Sequence, residues 1–98
     1  HEEWVAHVRE ELRRAGARSG AAREEIIACL ARQDCCLSAQ ELFDALRREG
    51  ARVGIASVYR VLEQLSELAL VHRVDLGDGV TRFEPALPGG EHHHHLVC

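Results

Sequence analysis

The chain has 98 residues, 46% of them hydrophobic and 29% charged, and a formal net charge of −4. That length gives room for one small domain and hardly for two cores. No apolar run approaches the roughly 20 residues that cross a bilayer, and no signal-peptide pattern opens the chain, so no membrane partner is expected. The acidic balance is a poor argument against nucleic acid, because charge often segregates by face.

All 12 basic residues are arginine. A guanidinium suits phosphate and guanine edges, but GC-rich coding would give the same bias. Cysteines stand at 29, 35, 36 and 98. Adjacent Cys35 and Cys36 do not easily pair with each other, and no disulfide-framework spacing is present. Free or metal-bound thiols in a reducing cytoplasm are expected. Cys29, at an apolar helical position, reads as core.

In chain order, Trp4, Val8 and Leu12 recur at i+4 and predict an amphipathic helix over Glu2–Ala15, closed by Gly16. A short arm containing Arg18 follows, then a second helix from Ala21 to Gln33 with Ile26, Ile27 and Leu30 inward. Ser38-Ala39-Gln40-Glu41 reads as a capping box that opens a third helix, with Leu37 as a staple, and Gly50 ends it. Ile55, Val58, Leu62, Leu65 and Leu68 have the spacing of a fourth. The period then changes to 2 over 71–75 and 80–84, on either side of Gly77-Asp78-Gly79, which predicts a β-hairpin.

Helices followed by a hairpin suggest an α+β chain, a winged helix-turn-helix of three to four helices and a two-stranded β-hairpin wing. Residues 1–85 would form that domain. Residues 86–98 would be a hinge and the start of a missing C-terminal domain. A recognition helix reads bases with its first residues, so Ser57, Tyr59 and Arg60 are candidate DNA contacts. Arg18 is a candidate for the minor groove and Arg23 for phosphate, although either also suits a solvated surface.

His92-His93-His94-His95-Leu96-Val97-Cys98 carries the most chemistry. Alternate residues of an extended chain face opposite ways, so His92 and His94 would serve one site and His93 and His95 another. Imidazole and thiolate suit zinc, iron and neighbouring divalent metals. Four histidines behind Gly89-Gly90 and ahead of Leu-Val-Cys make a poor purification tag. Glu84, closing the second hairpin strand, and Cys36, before the third helix, are further candidate ligands, with Cys35 behind them. No His-Glu-x-x-His or comparable cleft motif is present, so an enzyme is not expected. A winged helix used only for protein contact is the competing reading.

Together these segments resemble the ferric uptake regulator family. Val53 to Leu62 resembles its recognition helix, Leu37 to Phe43 the preceding helix start, Gly77-Asp78-Gly79 with Arg82-Phe83-Glu84 its wing, and His92–Cys98 its histidine-rich hinge. The resemblance implies a homodimeric, metal-dependent repressor of metal-uptake or homeostasis genes that binds double-stranded DNA at AT-rich inverted repeats. It implies base and backbone contacts from Tyr59 and Arg60 and a minor-groove contact from Arg18. It also implies a regulatory site of Cys36, Glu84, His93 and His95 for Fe2+ or Zn2+. His92 and His94 would belong to a second site, and Cys98 would begin a structural zinc site incomplete in this chain. Cys36 stands where histidine is commoner, which softens the site. Gly20 and Ala22 stand where threonine and glutamine are usual. Glu84 stands where the zinc-uptake branch carries cysteine, which favours a ferric-type member over the zinc- or peroxide-sensing branches.

Overall fold

A computed structural model describes residues 2–17, 20–33 and 35–86. In chain order these form α1 (Glu2–Arg14), α2 (Ala21–Arg32), β1 (Leu37–Ser38), α3 (Ala39–Arg48), α4 (Ile55–Glu67), β2 (Val71–Asp75) and β3 (Thr81–Pro85). Each helix sends one stripe inward. Trp4, Val8 and Leu12 of α1 meet Ile26, Ile27 and Leu30 of α2, Leu42 and Leu46 of α3, and Val58, Leu62 and Leu65 of α4 in one core. Burying each such side chain contributes about 1.5–3 kcal/mol, so the stripes, more than helix propensity, hold the bundle. Cys29 is fully buried in that core, as expected, and burial first, then the Glu49 carboxylate, pushes its thiol pKa up.

The expected hairpin is present, but it belongs to a three-stranded antiparallel sheet in the order β1-β3-β2. Leu37 pairs with Phe83 and Ser38 with Arg82. A two-residue strand shows no alternation, so periodicity could not reveal it. Ser38 serves both elements. Its Oγ accepts from the Glu41 N–H at 3.1 Å, while its own N–H donates to Glu41 Oε1 at 2.9 Å. The predicted capping box therefore starts α3 at the point where the strand stops.

α3 ends by a backbone closure around Gly50, whose φ of 80° suits glycine. The Gly50 N–H donates to Arg47 O and the Ala51 N–H to Leu46 O, both at 3.0 Å. α4 ends the same way, but with Ala69 at φ 57° in the left-handed position. There the Ala69 N–H reaches Ser66 O at 3.0 Å and the Leu70 N–H reaches Leu65 O at 2.8 Å. Leu70 is thereby turned into the core. Its carbonyl accepts twice, from the Trp4 indole Nε1 at 2.8 Å and from the Ala86 N–H at 3.0 Å.

The hairpin tip is tied by its own side chains. Asp75 Oδ1 accepts from the Gly77 N–H at 2.8 Å and Asp78 Oδ1 from the Val80 N–H at 3.1 Å. Asp78 Oδ2 also lies 2.8 Å from Arg82 Nη1. The Arg82 hydrogen bond first, then the Val80 N–H, holds the Asp78 carboxyl below the usual carboxylate range. Leu76 and Val80 remain exposed beside it.

Two stability outcomes are expected. Ala69→Gly relieves the left-handed strain and should raise stability by about 0.5–1 kcal/mol, read as a higher melting temperature. Trp4→Phe removes the indole donor and part of the core volume, and should cost about 1–2 kcal/mol in denaturant unfolding followed by circular dichroism. An unchanged midpoint would show that the indole contact adds no net stability.

Candidate nucleic-acid interface and metal centre

α3 and α4 form the helix-turn-helix, with Val53 buried in the turn and Val58, Val61, Leu62 and Leu65 seating α4 from below. With those positions inward, the helical period turns Ala56, Tyr59, Arg60 and Glu63 outward, and all four are exposed. Tyr59 is 55% exposed, a large value for a side chain with this much apolar surface. Arg60 Nη2 donates to Ser57 Oγ at 3.1 Å, which joins two of the candidate DNA contacts on the first turns of the helix. No ion pair among the described residues ties Arg60 to Glu63 or Glu67.

Arg23 comes to the same place from α2. It lines an open cleft of about 710 Å³ together with Gly20, Ser57, Arg60 and Gln64 and the carboxylates Glu63 and Glu67. Its Nε atom is buried without a hydrogen-bond partner among the described residues. The structure thus gathers Arg23, Ser57 and Arg60 around one concavity, with Tyr59 on the adjoining surface. Such a set can hold a phosphate oxygen between two guanidiniums and a hydroxyl, and present a ring to base edges. Arg18 lies outside the described residues.

Of the described candidate metal ligands, Glu84 lies on the sheet and Cys36 beside it. Cys36 directly precedes β1, and Glu84 follows Phe83, the partner of Leu37, on β3. Cys36 is a buried free thiol, and Glu84 is half-buried on the central strand. On the other side of Glu84 stands His72, its partner in the β2–β3 ladder. Sequence reasoning did not single out His72, because a lone histidine in a strand shows nothing until the register is known. Among the described residues no three His, Cys, Asp or Glu side chains are gathered closely enough to hold a metal ion. His92, His93, His94, His95 and Cys98 lie outside the described residues. Thiol and carboxylate, the donor types of Cys36 and Glu84, are ones that divalent ions of the zinc–iron group accept. No described helix is long and apolar enough to cross a membrane.

The profile of the ferric uptake regulator family matches residues 14–98. The ferric uptake regulation protein of Bacillus subtilis is 43% identical over 63 residues, covering 63% of this chain and 42% of that protein. The protein of the same name from Pseudomonas aeruginosa is 39% identical over 89 residues, covering 90% of this chain and 65% of that one. The crystal structure of the Vibrio cholerae ferric uptake regulator superposes with a TM-score of 0.76 at 36% identity, over 91% of this chain and 67% of that one. The chain therefore spans between about two fifths and two thirds of these relatives. The winged helix, the match across the reading helix and the alignment through the histidine run agree: the chain belongs to the ferric uptake regulator family.

Proposed function

We propose that this chain is the DNA-reading part of a metal-responsive transcriptional regulator, a repressor of metal-uptake or homeostasis genes. It would act in the cytoplasm as a homodimer assembled through a C-terminal domain that follows the histidine run. The observation that carries the reading is that Tyr59 and Arg60 lie exposed, with Ser57 bonded to Arg60, at the start of a helix whose opposite face is buried. An exposed tyrosine beside an arginine, without a core of their own, fits a major groove better than bare solvent. Arg60 would fork onto guanine or phosphate, Tyr59 would pack on thymine methyls, and Arg23 would hold the backbone through the cleft it shares with Ser57. Arg18 would enter the minor groove of an AT-rich inverted repeat.

The metal-responsive part rests on donor chemistry. Cys36 directly precedes β1 and Glu84 lies on β3, the strand with which β1 pairs, and His93 and His95 are the partners proposed for them from the hinge. His92 and His94 would belong to a second site, and Cys98 to a structural zinc site. A divalent cation, when bound, supplies one positive charge centre that several of these donors share. Cys36 is the residue through which such a grip reaches the reading unit, since α3 begins three residues later at Ala39. A thiol at that position tilts the choice between Fe2+ and Zn2+ towards zinc. Differential affinity for one arrangement of the domains is what would shift the DNA-binding population.

A gel shift on an AT-rich palindrome tests both parts, using the full-length protein with and without a chelator. Binding should require metal, and Arg60→Ala should weaken it by about 10- to 100-fold, the worth of one lost bidentate contact. Binding that ignores both the chelator and the substitution would overturn the proposal.

A further inference from the structure

We infer that Arg52, in the turn between α3 and α4, is a contact to the phosphate backbone of duplex DNA, at the rim of the groove that the first turns of α4 would enter. The inference rests on the DNA-reading proposal and deepens it, by adding a charge contact ahead of the helix to the one that Arg23 would make along its flank.

Charge is unevenly distributed along the chain. Residues 45–62, from the end of α3 through most of α4, hold four arginines, Arg47, Arg48, Arg52 and Arg60, and a single acid, Glu49. That segment carries a formal charge of +3, whereas the rest of the chain carries −7. Glu49 does not offset its neighbours, since its carboxylate bonds to Arg32 of α2 and accepts from the Cys29 thiol. Asp44, one turn before Arg48, accepts from Gln40 at 3.1 Å instead. Elsewhere Arg9, Arg13, Arg14, Arg32 and Arg82 each bridge to a carboxylate. Among the described residues the four arginines of this segment bridge to none.

Arg47 and Arg48 have an explanation of their own. They stand in the last turn of α3, where the helix dipole favours a cation, and the Arg47 guanidinium lies 5.7 Å from the centre of the Phe43 ring. Arg52 has neither support. It comes after the end of α3, and its neighbours on both sides are anchored. Ala51 packs against the core and its N–H donates to Leu46 O at 3.0 Å, while Val53 is buried. Arg52 between them is exposed. The backbone is thus fixed on either side of a charged side chain left in solvent, so a contact made there orders the side chain alone.

Gly54, two residues on, is the N-cap of α4, and Tyr59 and Arg60 are exposed near its start. A recognition helix enters the major groove by that end. The groove is about 12 Å wide, so its phosphate rims stand about 6 Å to either side of the midline. Two residues of extended chain span about 7 Å, enough to carry the backbone from the groove to its rim. A guanidinium placed there can take a phosphate through two parallel N–H donors. Arg23, by contrast, lines the cleft beside Ser57 and Gln64, along the flank of α4. The helix would then be held to the backbone at two places that read no sequence, and these set the register in which Tyr59 and Arg60 meet the bases.

The test follows fluorescence anisotropy of the metal-loaded full-length protein on a labelled AT-rich palindrome and on a scrambled duplex of the same composition. Salt is varied from about 50 to about 200 mM, the range over which phosphate contacts are lost. Arg52→Ala should make the slope of log affinity against log salt shallower by about 0.9 per protomer, so that its deficit shrinks about threefold per protomer across that range. It should weaken both duplexes by the same factor, whereas Arg60→Ala should weaken the palindrome more. Arg52→Lys should keep the slope, and Arg9→Ala, which also removes one positive charge, should leave it as in the unsubstituted protein. A slope unmoved by Arg52→Ala, with the palindrome still weakened by Arg60→Ala, would overturn the phosphate contact and leave the DNA-reading proposal standing. An equal change of slope in Arg9→Ala would reduce the effect to net charge and overturn the contact too. Metal-loaded protein that binds neither duplex at low salt would remove both readings. Should Arg52→Ala lose the helical circular dichroism of its parent, Arg52→Gln decides in its place, with the same outcomes.

Discussion

One backbone oxygen ties the two halves of the domain together. The Leu70 carbonyl receives the indole N–H of Trp4 and the amide of Ala86, so it joins the first helix, the end of the reading helix and the exit of the last strand. It is aimed there because Ala69 accepts a left-handed conformation that an alanine adopts only at a cost. The strain is local, and the reward is shared by elements far apart in sequence. Buried carbonyls need partners, and this one has two, which makes Trp4 a positioning residue for the sheet as well as part of the core.

The two candidate surfaces meet through a short piece of chain. Cys36, Leu37 and Ser38 run from the proposed ligand through β1 to the cap of α3, and α3 packs against the reading helix. A force applied at the thiol therefore acts on a strand hydrogen-bonded to β3 and on a helix start held by a reciprocal cap. Neither linkage contains a loose joint. That stiffness suits a device in which an event at the sheet is to be felt by a helix.

Much of the fold was legible because the signals were local. The i+4 stripe of Trp4, Val8 and Leu12, the Ser38–Glu41 box and the glycine-rich tip between alternating strands each name their element without distant information. What stayed hidden depended on pairing across the chain. β1 is too short to carry a period, and Leu37, read as a staple, is also a ladder partner of Phe83. The pairing of His72 with Glu84 is hidden for the same reason, since the two lie twelve residues apart and become neighbours only through the register. The reading face was legible in orientation, because Val58 and Leu62 fix which way Tyr59 and Arg60 must look. The cleft that brings in Arg23 was not, since it depends on how α2 lies against α4.

The hairpin tip has a consequence for how a polyanion would be met. Its ordered carboxylates, Asp75 and Asp78, and its bare Leu76 and Val80 offer a phosphate nothing to bind. A duplex approaching this tip would meet carboxylates and apolar side chains before any unopposed cation. The tip itself would then displace few cations from the nucleic acid, at roughly 0.9 for each phosphate neutralised, and the dependence of the hold on ionic strength would be set elsewhere on the domain.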